Sequence, residues 1–212
     1  MTTANVPVPL AHDQIAEAAQ VLGRAFMGAP PLMYCFPDAH ERGRQLPIFF
    51  ETMLRHGLAC GEVWTTPGVV RGVAIWYPPD APAMTEDDLA AAGFARVAAA
   101  WGAAAFNRQM EIVLGVEACH LDLPIEAHWH LSFLGVAPEA QGAGIGGGLV
   151  RQVFPRADAA GYPCTLDTMQ PHNVALYERL GFAVIAEYAL IQGEIRLWTM
   201  RRPPRGGPSR VS

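Results

Sequence analysis

Three groups of residues in this chain have types and spacings that do chemistry. The densest is Gln141-Gly142-Ala143-Gly144-Ile145-Gly146-Gly147-Gly148, in which five of eight residues are glycine. Glycine removes side chains where a backbone must come close to something else. Leu149, Val153 and Ala157 follow at intervals of four, so a helix begins inside the run. The first N–H groups of a helix lack intrahelical partners and its dipole end is positive, which suits this loop to a phosphate-bearing cofactor. Upstream, period-two geometry puts His128, His130, Ser132 and Leu134 on one face of a strand, and Trp129, Leu131 and Phe133 on the other. A histidine on the polar face suits proton removal, directly or through water. Downstream, Asn173 and Tyr177 are four residues apart, so both side chains project from one face of a helix.

Two other readings of these residues are weaker. His128-x-His130 has metal-ligand spacing, with His120 or Cys119 as partners, but no third carboxylate or cysteine stands in register to complete a metal centre. Cys164 lies on a strand beside the site, and with nothing basic next to it in sequence it reads as an inert buried thiol.

Periodicity outlines the elements that must position these groups. Residues 13–26 form an amphipathic helix with Ile15, Ala18, Ala19, Leu22 and Phe26 on one face and Asp13 as N-cap. Ala29-Pro30-Pro31 ends it, and Phe36-Pro37-Asp38 precedes a second helical pattern over 42–58, through Leu46, Phe49, Phe50, Met53 and Leu54. Pro47 places the true start of that helix near itself. Residues 61–65 and 69–77 form an antiparallel hairpin around Thr66-Pro67-Gly68. Thr85-Glu86-Asp87-Asp88 is a capping box opening an alanine-rich helical region to residue 116, divided at Gly93, Gly102 and Gly115, and assigned to covering the substrate side.

The strand 129–136 stops at Pro138, which has no N–H to donate. The helix after the glycine run reaches residue 160, kinked by Pro155 and ended by Gly161. A strand over 162–168, a helix over 173–180 stopped by Gly181, and a closing pair of strands over 182–188 and 195–201 complete the pattern. The sum is a mixed α/β fold in one domain, residues 1–202, with a Pro/Gly/Arg-rich tail over 203–212.

Composition narrows the function. Half of the 212 residues are hydrophobic, enough for one substantial core, and 17% charged residues argue against disorder. A formal charge of −5 without clustered Lys and Arg gives no footprint for nucleic acid. Arg201, Arg202, Arg205 and Arg210 are set among prolines and glycines, which reads as a mobile tail. Cys35, Cys60, Cys119 and Cys164 make no CxxC pair, so neither a zinc ribbon nor a disulfide scaffold is indicated and a reduced, cytoplasmic setting fits. Residues 1–9 lack the pattern of a signal peptide, and no apolar run reaches the roughly 18 residues that read as a membrane span.

Gln141-Gly142-Ala143-Gly144-Ile145-Gly146 resembles the Q/R-x-x-G-x-G/A acetyl-CoA signature of the GNAT superfamily of N-acetyltransferases. Asn173-Val174-Ala175-Leu176-Tyr177-Glu178-Arg179-Leu180-Gly181-Phe182 is similar to its second signature, an Asn, a Tyr and then Gly-Phe. Leu134-Gly135-Val136, the Leu-Tyr-Glu-Arg-Leu-Gly-Phe run and Trp198-Thr199-Met200 look closest to the puromycin N-acetyltransferase-like branch. The resemblance covers residues 129–200 and is faint before Pro79, where most acceptor determinants would lie.

The resemblance implies the GNAT fold: a central, mostly antiparallel twisted sheet, splayed at its fourth strand, with helices on both faces. It implies acetyl-CoA as donor, with its pyrophosphate on the backbone amides of Gln141, Gly142, Ala143, Gly144, Ile145 and Gly146. The main chain of Leu134, Gly135 and Val136 would pair with the pantetheine arm, with Gly135 at the bulge, and Asn173 and Tyr177 would face the cofactor. Tyr177 is then the proton donor to the departing thiolate. His130, counted back from Val136, resembles a strand histidine implicated as base in the serotonin N-acetyltransferase branch. Its companion histidine there is Ser132 here, so His128, His120, Glu126 and a water chain stand as alternatives. The implied activity is direct transfer, through a ternary complex, to a primary amine of a small molecule. Acetylation of a protein N-terminus or lysine is one rival. A non-catalytic acyl-CoA-binding module is another, opposed by the presence of both Asn173 and Tyr177. Monomer and homodimer are both compatible with the sequence.

Overall fold

A strand that is apolar on both sides has to be covered on both. Val73, Ala74, Ile75 and Trp76 are completely buried, and they form the middle of β3 (Gly72–Tyr77), the third strand of a seven-stranded sheet. The computed structural model describes residues 6–81, 85–121, 123 and 126–206. Before β3 come β1 (Val8–Pro9), α1 (Ile15–Ala25), α2 (Pro30–Cys35), α3 (Ala39–Cys60) and β2 (Glu62–Thr65). After it come α4 (Glu86–Ala92), α5 (Phe94–Leu121), β4 (Trp129–Val136), α6 (Ile145–Val150), α7 (Phe154–Ala160), β5 (Cys164–Thr168), α8 (Pro171–Arg179), β6 (Ala183–Leu190) and β7 (Ile195–Arg202).

The sheet order is β1-β2-β3-β4-β5-β7-β6, with β4 and β5 parallel and every other neighbouring pair antiparallel. Val73 and Ile75 face α1, α3 and α5 in a core with Leu22, Phe50 and Leu54. Ala74 and Trp76 face the other way, into a core with Leu149, Val153, Leu166 and Met200 under α6, α7 and α8. The mixed sheet with helices on both faces is thus present. Among the described residues no helix is long and apolar enough to cross a membrane.

Several local expectations shift. A 3-10 turn over His12–Gln14 precedes α1, and the Gln14 side chain, not Asp13, accepts the Ala11 N–H at 3.3 Å. Ala29-Pro30-Pro31 not only ends the first helix but starts α2, because proline fits a first turn where no N–H is needed. α3 begins at Ala39, eight residues before Pro47, with the Asp38 carboxylate accepting the Glu41 N–H at 2.7 Å. Pro47 therefore lies inside the helix. Its ring packs where α1 carries Gly23, whose missing Cβ would sit 3.3 Å from it. Tertiary packing outweighs the local signal there.

The capping box forms: Thr85 Oγ1 accepts the Asp88 N–H at 3.2 Å and Asp88 Oδ2 accepts the Thr85 N–H at 2.9 Å. Gly93 (φ 91°) separates α4 from α5 and Gly102 (φ 69°) kinks α5, whereas the helix runs through Gly115 to Leu121. The helix after the glycine run is two short helices, with Pro155 in the first turn of α7 instead of kinking a longer one. Residues 203–206 of the C-terminal segment are followed: the Arg205 N–H donates to Asp158 Oδ1 at 2.8 Å, so this part docks on α7. Arg210 lies outside the described residues.

Candidate active site

The site begins with an irregularity in β4. Gly72 to Ile75 pair in regular register with Val136 to Phe133, but Trp76 pairs with Leu131, leaving Ser132 as the extra residue of a β-bulge. A bulge resets side-chain alternation. Trp129 and Leu131 point into the α6–α8 core and are joined there, beyond the bulge, by Leu134 and Val136. Phe133 turns to the opposite face, where its ring meets Phe26, Phe49 and Phe50. His130 therefore shares its face with Phe133 and not with Leu134. Gly135 is regularly paired with Val73 and is not the bulge. A Cβ on Gly135 would lie 2.7 Å from Leu22 Cδ2 and 3.1 Å from the Ala25 Cβ, so glycine there lets α1 approach the strand.

β4 and β5 pair only at Trp129↔Cys164, His130↔Thr165 and Leu131↔Leu166. Past Leu131 the two strands part. Along the rest of β4 the edge facing β5 has no strand partner among the described residues, and a cavity of about 360 Å³ opens at the split. The sheet contributes His130, Ser132, Phe133, Leu134, Asp167 and Thr168, and α8 contributes Asn173 and Tyr177. Phe26 just past α1, Leu32 of α2 and Phe49 of α3 line it, and α5 contributes Gln109, Ile112, Val113, Val116 and Glu117 from the end of the alanine-rich region. Nothing in the sequence marks Arg42, which braces the α2 wall. It is buried, its Nε donates to the Met27 carbonyl at 2.8 Å, and its Nη1 donates to the carbonyls of Phe36 and Pro37.

Asn173 and Tyr177 do come together on the cavity, as their spacing requires. Asn173 Nδ2 donates to Thr168 Oγ1 at 3.5 Å. Tyr177 is 6% exposed, and burial pushes its phenol above the usual range, so it is protonated at neutral pH. Such a group keeps an O–H with which to donate a hydrogen bond or a proton.

His130 Nδ1 lies 3.1 Å from Thr165 Oγ1. Burial pushes its imidazole down to about 4, with Asp167 opposing and His128 and His120 reinforcing the shift, so the ring is neutral at physiological pH. The other base candidates lie elsewhere. His128 Nδ1 bonds the Glu126 carbonyl at 2.7 Å, and the Glu126 carboxylate pairs with Arg201. Neither lines the cavity. His120 Nε2 stands 3.1 Å from Asp167 Oδ2, which holds its imidazole above the usual range. Asp167 itself was not anticipated. Burial pushes its carboxyl up, but hydrogen bonds from His120 and from Thr199 Oγ1 (2.7 Å) leave it below the ordinary value. The one available signal was an acid inside the otherwise buried strand Cys164–Thr168.

Among the described residues no three His, Cys, Asp or Glu side chains converge to hold a metal ion. The Cys164 thiol is fully buried and pushed up to about 12 by that burial, consistent with an inert role.

The glycine run lies further along β4. Gly142 (φ 79°) and Gly144 (φ 78°) adopt the left-handed conformation, and no atom lies within 4 Å of a Cβ built on either, so their conformation and not crowding demands glycine. Gln141 Nε2 donates to the Val136 carbonyl at 3.1 Å, tying the loop to the strand. The Gly148 N–H bonds the Gly144 carbonyl at 3.0 Å, so the amides just before it stand ahead of the helical ladder. Gly135, Val136 and residues 141–146 do not line the 360 Å³ cavity. A Cβ on Gly146 would touch the Val136 and Leu134 side chains at 3.5 and 3.7 Å, which places the run directly beside the open edge. A ligand with a phosphate at one end and a reactive group at the other can therefore lie along β4 from the loop to Tyr177.

Solved structures share this architecture at low identity. A protein described as histone acetyltransferase HPA2 and related acetyltransferase, from Corynebacterium glutamicum, matches with TM-score 0.69 and 21% identity over 93% of this chain and 95% of that one. The polyamine N-acetyltransferase of Drosophila melanogaster matches with TM-score 0.59 and 17% identity over 93% and 99%. The ribosomal-protein-S18-alanine N-acetyltransferase of Escherichia coli matches with TM-score 0.52 and 15% identity over 97% of each chain. The fold is thus shared by enzymes with dissimilar acceptors. Residues 50–182, well over half of the chain, match the acetyltransferase (GNAT) family. With its splayed β4–β5 pair, its left-handed glycine loop and its Asn-Tyr helix, the chain belongs to that family of acetyl-CoA-dependent N-acetyltransferases.

Proposed function

We propose that the enzyme transfers the acetyl group directly, through a ternary complex, to a primary amine of a small molecule with an apolar body. The observation that carries this reading is the roofed acceptor space. Leu32 of α2 and Ile112, Val113 and Val116 of α5 line the cavity at the split in the sheet together with Phe26, Phe49 and Phe133. A cavity of about 360 Å³ is of the size that takes a small ligand, whereas an extended peptide needs an open slot. Asp167 and Glu117 supply negative charge toward a cationic amine. The resemblance to the puromycin N-acetyltransferase-like branch supports the same class. So does the likeness to a polyamine N-acetyltransferase, against which stands the likeness to an enzyme named for a protein alanine.

In this reading the backbone amides of Gln141, Gly142, Ala143, Gly144, Ile145 and Gly146 hold the pyrophosphate. Leu134, Gly135 and Val136 pair through their main chain with the pantetheine arm along the edge that β5 leaves, and Asn173 and Tyr177 face the thioester. Transfer needs a neutral amine, a stabilised oxyanion and a proton for the thiolate. Tyr177 supplies the last. Its phenol is a weaker acid than a thiol, whose pKa is about 8.5, so a hydrogen bond in the transition state matters as much as full transfer. His130 is neutral but weakly basic, so it takes the proton from the nitrogen once that atom is bonded to the carbonyl carbon and has become acidic. The four free cysteines among the described residues fit a cytoplasmic setting, and residues 1–202 act as one domain.

Thiol release from acetyl-CoA should be measured across arylalkylamines, aminonucleosides, polyamines, amino acids and a peptide with a free N-terminus. Turnover should be highest with amines that carry an apolar body. Turnover confined to the peptide would overturn the small-molecule reading, and rates no higher than without enzyme would favour a binding module.

A further inference from the structure

We infer that Asp167 and His120 form the exit for the proton shed by the acceptor amine, carrying it from the acetyl-transfer cavity to a second cavity beside the sheet. The inference rests on the acetyl-transfer reading of the first cavity. It goes beyond that reading in assigning the route by which the proton leaves.

The geometry is a polar seam laid across three strands and closed by a helix. His130 on β4 contacts its register partner Thr165 on β5 at 3.1 Å. Asp167 lies two residues further along β5, on the same face. Thr199, its register partner on β7, donates to Asp167 Oδ1 at 2.7 Å. From the last turn of α5, His120 brings Nε2 within 3.1 Å of Asp167 Oδ2 and 3.3 Å of Oδ1. On this side of the sheet the neighbouring core is Leu197, Ile195 and Ile112, so the seam is a polar path through apolar packing.

The second cavity, about 310 Å³, is bounded by His120, His128, Thr165, Leu166 and Thr199, together with His130 and Asp167. His130 and Asp167 are the residues common to both cavities, and so they form the wall between them.

Proton affinity falls in the right order for an outlet. His130 cannot keep a proton near neutral pH, since burial holds it down to about 4. Asp167 holds His120 above its usual value, so of the two imidazoles His120 has the higher proton affinity. A proton taken at His130, or at a water beside it, passes to the Asp167–His120 pair across the second cavity, which all three residues line, and ends on the imidazole of higher affinity. The titratable groups facing that pair are His130 and His128 from β4 and the segment before it, with Glu117 one turn earlier on α5. Thr199 on β7 is uncharged.

In the balanced step the nitrogen bonds the acetyl carbon, the carbon–sulfur bond breaks, and the thiolate takes a proton from Tyr177, which recovers one from solvent. The nitrogen sheds one proton to the seam, and His120 releases it to water in the second cavity. Asp167 and His120 are thus positioning and relay groups, acting through His130.

The test uses His120→Gln, which keeps a hydrogen-bond donor toward Asp167 but cannot hold a proton, with phenethylamine as acceptor. The relay requires kcat to fall about tenfold, less than the 10²–10⁴-fold effect of a direct acid or base, with KM for acetyl-CoA unchanged and the rate restored by added imidazole. A wild-type kcat, or a loss that imidazole does not restore, would overturn it. NMR titration of the His120 ring provides a readout that needs no acceptor: its midpoint should drop in Asp167→Asn, and an unmoved midpoint would dissolve the pair. That arm separates failure of the exit from failure of the acetyl-transfer reading, which would show as no amine turnover in the wild type. Should Asp167→Asn not fold, His120→Gln carries the decision.

Discussion

His130 and Tyr177 line one cavity although they belong to opposite faces of the sheet. His130 shares its face with Thr165 and Asp167, while Tyr177 packs in the core that holds Leu131, Leu166 and Met200. They meet because the parallel β4–β5 pair ends at Leu131↔Leu166 and the sheet opens there. In the proposed mechanism an acetyl group held in that opening would have His130 as proton acceptor on the side where the amine arrives and Tyr177 as donor on the side where sulfur departs.

Tyr177→Phe removes only the phenolic oxygen from a side chain packed against Phe182 at 5.9 Å. We expect kcat to fall by about 10²-fold, the lower end for acid–base catalysis, with little change in KM for acetyl-CoA. Steady-state kinetics decide it, and an unchanged kcat removes Tyr177 from the donor role.

The pH dependence should carry the mark of His130. With its imidazole held down to about 4, it is lost as acceptor only near that pH, so its acidic limb lies well below the usual histidine range of about 6.5. His130→Ala should abolish or shift that limb; an identical profile would leave the base elsewhere. Stability responds in the same window. Between the unfolded value and about 4 the unfolded chain binds a proton that the native ring refuses, so stability rises with pH there. His130→Gln should flatten that slope in urea melts.

The two kinds of glycine should fail differently. Gly135→Ala forces a Cβ to within 2.7 Å of Leu22 Cδ2 and should cost about 1–3 kcal/mol of stability, measured by denaturant unfolding. Gly144→Ala meets no atom within 4 Å but must hold φ 78°, at about 1–2 kcal/mol, and should chiefly raise KM for acetyl-CoA.

Asp158 holds the buried Arg202 through paired contacts of 2.8 Å, with the guanidinium 4.0 Å from the Phe154 ring centroid. Asp158→Ala leaves that cation unpaired and should destabilise the fold by about 3–5 kcal/mol, read as a lower midpoint in urea. Arg202 in turn holds the Asp158 carboxyl well below the usual range, so this stabilisation is present above the unfolded pKa and lost as pH falls through the folded one.

Most of the strands and the longer helices, the glycine loop opening a helix and the pairing of Asn173 with Tyr177 were legible in the sequence because each rests on local rules: period, turn chemistry and helical spacing. Those rules act over a few residues, and they fixed elements better than boundaries: Asp13 is not the cap of the first helix, Gly115 does not divide α5, and Pro155 starts α7 instead of kinking a longer helix. Tertiary structure decided the rest. The bulge at Ser132 arises from how β3 and β4 pair, and it moved Phe133 to the face of His130 and Leu134 away from it. Pro47 stayed inside α3 because the α1 surface at Gly23 accepts its ring. Asp167 gained its importance from His120 and Thr199, which lie 47 and 32 residues away in the chain and meet it only when α5 and β7 close over β5. Contacts of that range depend on packing between whole elements, which no window of sequence contains.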